Sequence, residues 1–147
     1  MDAGVQFGKV DAELLLWNDT PMRLSRIDLR YRPDAFYRTK CAYLARWLKR
    51  KVEPSREIWL WGAGRITRQR FRALETEGIS IAGFIDVDRK KIGRLRDGRP
   101  VVGPHHLPSR DRAFILAGVS TRGARELIAA QLNGAGRTEG TDYLLVA

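Results

Sequence analysis

The sequence predicts an α/β fold, a parallel sheet with helices on both faces, on three observations. An apolar run, Ile58-Trp59-Leu60-Trp61, ends on the turn Gly62-Ala63-Gly64 and passes into a helical pattern. Two more apolar runs, 79–85 and 113–119, follow at spacings that leave room for a helix or a crossover between strands. Strands that alternate with helices through short links pair in parallel, with right-handed connections.

In chain order, the first 33 residues read as a helical or irregular linker. Residues 10–17 suit a short helix whose Leu14, Leu15, Leu16 and Trp17 are too apolar to leave in water. Asn18-Asp19-Thr20-Pro21 is a turn cluster. Residues 22–32 alternate loosely and carry Arg23, Arg26, Arg30 and Arg32, which suits an irregular surface segment. A helix is expected over 34–51, with Asp34 as its N-cap. Phe36, Cys41, Tyr43, Leu44, Trp47 and Leu48 would form its apolar stripe, and Lys49, Arg50 and Lys51 would suit its last turn.

The first strand begins near Ile58. A crossover helix runs through Phe71 and Leu74 to Glu77, with Gly78 as its C-cap. The second strand ends on Asp86, and Val87 to Gly93 is a charged loop or single turn. Residues 98–104 offer a short extended piece between breakers. The run 113–119 is a strand buried on both sides by its composition. Ser120 or Thr121 can cap the next helix, with Leu127, Ile128 and Leu132 facing the core. Tyr143-Leu144-Leu145-Val146 is the last strand. Residues 34–147 therefore form one domain, its leading helix included.

Composition bounds the function. A chain of 147 residues has room for one full domain. A domain of that size buries about two thirds of its unfolded surface and needs no staples. The single cysteine, Cys41, permits no internal disulfide and fits a reducing, cytoplasmic setting. No apolar run reaches the ~18 residues of a membrane span, and the first residues lack the basic start and apolar core of a signal peptide. The formal net charge of +10 raises nucleic acid as a partner. The cations are scattered and the aromatics occupy apolar stripes, so a solvated basic surface or a face for acidic partners is expected instead. His105 and His106 are adjacent, and no cysteine or third histidine completes a metal-ligand set.

The motif that carries chemistry is the glycine turn. Gly62 lets the chain bend at the strand end, and Gly64 leaves its backbone open to a phosphate. The helix that opens with Arg65 and Ile66 aims free N–H groups and a positive dipole end at that phosphate. Asp86 lies about 24 residues past Gly62, where a carboxylate can accept hydrogen bonds from a ribose. The third position of the dinucleotide-binding fingerprint holds Thr67 instead of a small residue, which would set helix and strand further apart. The candidate nucleotide-binding residues are Gly62, Ala63, Gly64, Arg65, Ile66, Thr67 and Asp86. Val87, Asp88 and Lys91 join them beyond the second strand, with Gly118 and Val119 at the end of the third. No residue is assigned to catalysis.

These pieces also occur together elsewhere. A leucine-rich stretch ends in Trp17, followed by Arg23-Leu24-Ser25-Arg26 and Arg30-Tyr31. Phe36, Lys40 and Tyr43-Leu44-Ala45 lead to Trp61-Gly62-Ala63-Gly64. Phe84-Ile85-Asp86-Val87-Asp88, Lys91-Ile92-Gly93, Gly98, Pro100-Val101-Val102, Gly123-Ala124-Arg125 and Glu139-Gly140-Thr141-Asp142-Tyr143 complete the set. The chain beyond residue 9 resembles the C-terminal Rossmann-like region, with its preceding linker, of bacterial family 2 glycosyltransferases. The resemblance implies an accessory domain that binds a nucleotide or nucleotide-sugar. The family's catalytic domain, with paired aspartates for a divalent metal, has no counterpart in these motifs. Asp86-x-Asp88 matches the C-terminal region instead. Residues 9–32 would then be a docking strap for that catalytic domain or for a second copy of the chain. The Rossmann half alone is also similar to NAD(P)-binding modules, so an oxidoreductase-type module is the alternative, and a basic interaction module a further one.

Overall fold

A computed structural model describes residues 32–147 and, ahead of them, 12, 21–23 and 28. The helix expected over 10–17 and the strap over 9–32 lie almost wholly outside the described residues. The chain divides into two compact units, Met1–Arg32 and Pro33–Ala147, and the second carries the fold. Among the described residues no helix is long and apolar enough to cross a membrane.

The second unit is a Rossmann-like α/β domain. Its elements are α1 (Pro33–Lys51), β1 (Glu57–Trp61), α2 (Arg65–Phe71), α3 (Ala73–Thr76), β2 (Ile81–Ile85), β3 (Leu95–Arg96), β4 (Arg99–Val102), a 3-10 turn (Pro104–His106), β5 (Ala113–Ala117), α4 (Ala124–Gly134) and β6 (Tyr143–Leu145). The six-stranded sheet has the order β3-β4-β2-β1-β5-β6. Its strands pair in parallel except β3, which runs antiparallel to β4. The chain lays β2 and β4 on one side of β1, then returns to lay β5 and β6 on the other. The order reverses between β1 and β5, and such a switch point opens a crevice beyond the strand carboxyl ends.

Strand periodicity splits the core in two. Ile58 and Leu60 of β1 and Phe114 and Leu116 of β5 point to one face. There they meet Cys41, Ala45 and Leu48 of α1 with Phe71 and Leu74 of α2 and α3. Trp59, Trp61, Ile115 and Ala117 point to the other, against Ile128 and Leu132 of α4 and Tyr143. Among the described residues α4 is the one helix on that second face, and Trp59 and Trp61 fill much of the layer beneath it. Trp59 lies across Gly83 of β2. A Cβ on Gly83 would stand 2.4 Å from the indole ring, so no larger residue fits beneath it.

Several boundaries differ from the sequence reading. Helix α1 starts at Pro33, which suits a first helical position. Asp34 is therefore inside the first turn, pairing with Arg38 at 3.7 Å, and is not the N-cap. The buried stripe of α1 is Cys41, Ala45 and Leu48, while Phe36 and Tyr43 are 60% and 67% exposed. Both were expected in the core. They lie too far round the helix from the stripe that meets the sheet, and Lys40 and Arg46 sit over their rings instead. The crossover helix is two pieces broken at Arg72, where Glu75 donates to the carbonyl three residues back at 3.1 Å. Gly78 does end it, with φ +77°. The strand β3 was not expected. Asp97 and Gly98 both have positive φ, 50° and 74°, as a two-residue hairpin turn requires.

The amino ends of the strands are tied by arginines. Asp142 accepts from the Thr138 N–H at 3.0 Å, from Arg110 Nε at 2.9 Å and from Arg56 at 3.1 Å. Arg56 also donates to the carbonyls of Arg110, Ala113 and Thr141. Arg137, 4% exposed, donates to those of Ala113 and Pro108. The stretch after α4 is thereby locked beside β5, and β6 enters in register.

Gly83→Ala should cost about 1–3 kcal/mol in urea unfolding, as overpacking does. Combined with Trp59→Leu, which removes the ring, the two costs should be clearly less than additive.

Burial pushes the Asp142 carboxyl upward, but the Thr138 N–H, Arg110 and Arg56 outweigh it and hold it below the usual carboxylate range. A lowered folded value means that the stabilisation is complete above the unfolded pKa, about 3.9, and is lost as pH falls through the folded one. Asp142→Asn should lower stability at pH 7 by about 2–3 kcal/mol. It should also flatten the fall in urea midpoint below about pH 4.

Candidate functional site

The glycine turn at the end of β1 is built by absent side chains. Gly62 has φ +117°, and a Cβ there would stand 2.9 Å from Val119 and 3.0 Å from Thr67. A Cβ on Gly118, at the end of β5, would meet Phe71 at 2.7 Å and Thr67 Cγ2 at 3.0 Å. Thr67 thus fits at the third fingerprint position because Gly62 and Gly118 make room on the strand side. The expected gap between helix and strands is not forced.

Gly64 is different. Its φ of −66° and ψ of 150° suit any residue, and a Cβ would meet nothing within 4 Å. Neither backbone nor packing requires glycine there.

Side chains hold the turn from both ends. The Ala63 N–H donates to Asp86 Oδ2 at 2.9 Å, and Arg68 Nε donates to the Ala63 carbonyl at 3.1 Å. Asp86, 7% exposed, also accepts from the Asp88 N–H at 2.9 Å and from Lys91 Nζ at 3.1 Å. A carboxylate has about four acceptor sites, and three of these are occupied within the protein. Asp86 is first a fixture of the glycine turn, and a ribose hydroxyl would have to share it.

Lys91 bridges to Asp88 as well, at 3.4 Å. Burial pulls the Lys91 ammonium down, but Asp86 and then Asp88 outweigh it and raise its pKa above the usual lysine value. Asp88 is held low, chiefly by the Lys90 N–H. The Asp86-x-Asp88 pair is therefore bridged by an ammonium. Among the described residues no group of three or more His, Cys, Asp or Glu side chains could hold a metal.

A crevice of about 450 Å3 opens at the switch point. Of the residues expected from sequence, Gly62, Gly64, Ile66, Thr67, Asp86, Val87, Lys91 and Val119 line it. Ala63, Asp88 and Gly118 do not: Ala63 and Gly118 are buried beneath the turn and Asp88 turns to its own loop. The Arg65 side chain lines a different cavity, on the far side of α2. Sequence reading missed Trp61, Ala124, Leu127, Ile128 and Gln131 as lining residues. Leu127 was expected in the core and is 70% exposed at the crevice.

Ser120 and Thr121 line the crevice too, but neither caps α4. That helix starts at Ala124 after Gly123, whose φ is +77°, with no side-chain cap. Ser120 Oγ instead accepts from Arg70 at 2.7 Å. The walls are apolar, with Ile66, Val87 and Leu127 all more than 60% exposed, and the floor is the polar glycine turn. Such a mix suits a ligand with a flat or apolar part and an anionic part.

Two other candidates fall away. Cys41 is fully buried and burial pushes its thiol pKa up, as for an inert core cysteine. His105 and His106 sit on the 3-10 turn and do not line the crevice. No family model matches the sequence, and searches of curated proteins and of solved structures return no match.

Asp86→Asn should destabilise the domain by about 1–3 kcal/mol in urea. The amide cannot accept from Ala63, Asp88 and Lys91 together, and one buried donor is left unmet.

Proposed function

We propose that this domain binds a nucleotide or nucleotide-sugar in the switch-point crevice, as an accessory module of a family 2 glycosyltransferase. The open backbone of Gly64 beneath apolar walls carries the reading. A diphosphate would lie over Gly64, where the chain keeps glycine although nothing in its own packing asks for it. The base would lie between Val87 and Leu127, and Ser120 and Thr121 line the same space. The site offers grip and shape, so the module's part is to hold a ligand while the parent protein transfers the sugar. The glycosyltransferase assignment rests on the sequence motifs alone.

A thermal-shift panel of UDP-, GDP- and dTDP-sugars with NAD and NADP tests the proposal. A nucleotide-sugar at 100 times its Kd should stabilise by about 2.7 kcal/mol. Gly64→Val should remain folded, because its backbone angles and surroundings admit a side chain, and should lose that shift. An unchanged shift in folded Gly64→Val would place the phosphate elsewhere. Stabilisation by NAD or NADP alone would move the reading to an oxidoreductase-type module.

A further inference from the structure

The connection from β2 to β4 contains no helix. A right-handed crossover there would lay a helix beside α2 and α3 on the same face of the sheet. A loop and the β3–β4 hairpin take its place, and a groove of about 460 Å3 remains between that hairpin and α2–α3. Leu60, Ile81 and Phe84 form its floor.

Arginines form its walls. Arg65, Arg68 and Arg72 recur at a spacing that puts them on one side of α2 and its continuation, and Arg99 faces them from β4. Arg68 pairs with Asp97, and Arg99 with Glu75. Arg65 and Arg72 are exposed, and their side chains have no ion-pair or hydrogen-bond partner among the described residues.

We propose that this groove is a second site, separate from the crevice, for a small ligand bearing a diphosphate or two phosphates. Guanidinium forks match phosphate oxygens two at a time, which suits arginine better than lysine. Two unpaired guanidiniums in one groove match two adjacent anionic groups. The volume falls in the range of small-molecule pockets. Asp97 and Glu75 line the groove as well and pair with Arg68 and Arg99, which leaves Arg65 and Arg72 to take the ligand.

Inorganic pyrophosphate, followed by titration calorimetry at low salt, is the test. With the glycine-turn crevice blocked by Gly64→Val, one molecule should bind per chain. Arg65→Ala and Arg72→Ala, neither of which removes an ion pair or side-chain hydrogen bond among the described residues, should each weaken binding by about tenfold. Arg46→Ala/Lys51→Ala removes two exposed charges from α1 and should leave the affinity unchanged, as should Gly64→Val. Vesicles of phosphatidylcholine with phosphatidic acid, added as competitor, separate the sources. Displacement of pyrophosphate would assign the site to lipid headgroups, and none would assign it to soluble phosphates. The inference is overturned if pyrophosphate does not bind, or if the α1 variant weakens it as much as the groove variants. It also fails if Gly64→Val abolishes binding, which would put the probe at the glycine turn.

Discussion

Helix α2 can lie where it does only because Gly62 and Gly118 present no Cβ to Thr67 and Phe71. That close approach sets the rest of the domain. It buries Phe71 against Leu60 and brings the first turn of α2 to the end of β1. It also carries Gly64 to the rim of the sheet. The dinucleotide-binding fingerprint achieves such an approach with a small residue on the helix. Here the helix keeps a β-branched threonine and the strands supply both small residues. The constraint is the same, a distance between helix axis and sheet, met from the opposite side.

The second constraint is electrostatic. A sharp turn with its N–H and carbonyl buried needs partners for both. Asp86 and Arg68 provide them for Ala63. Each in turn has its own partner, Lys91 for Asp86 and Asp97 for Arg68. The chain of contacts therefore runs from the loop after β2, through the glycine turn, to the tip of the β3–β4 hairpin. It joins the β2–β3 loop and the β3–β4 hairpin to the glycine turn. A carboxylate that reads from sequence as a ligand contact is also a member of this internal network.

The sheet was legible because its strands are apolar runs bounded by glycine and charge, and periodicity does not depend on tertiary context. Residues 57–61, 81–85 and 113–117 needed only that signal. The hairpin was not legible in the same way. Leu95-Arg96 is too short to show any period, and its one local cue is the Asp97-Gly98 dipeptide. Phe36, Tyr43 and Leu127 misled for a related reason. An apolar residue at helical spacing reads as core, and only the packed structure shows which side of the helix the sheet takes. The glycine turn itself was legible. The crevice was legible on the β1 side, whereas Ala124, Leu127 and Gln131 enter it from α4, whose approach depends on how that helix is laid down.

The charge of the chain resolves in a similar way. A formal net charge of +10 suggests a surface made for polyanions. Yet many of these cations have local work. Arg56 and Arg110 bind Asp142, and Arg56 and Arg137 cap carbonyls at the strand ends. Lys49 Nζ donates to the Glu77 carbonyl, joining the ends of α1 and α3. Lys40, Arg46 and Arg70 lie over the rings of α1. Guanidinium and ammonium groups here close backbone ends and cover aromatic faces, tasks a neutral amide or an added helix could also perform. Net charge is therefore a poor guide to partner in this chain. The informative cations are the ones without such work, and Arg65 and Arg72 stand together in one groove.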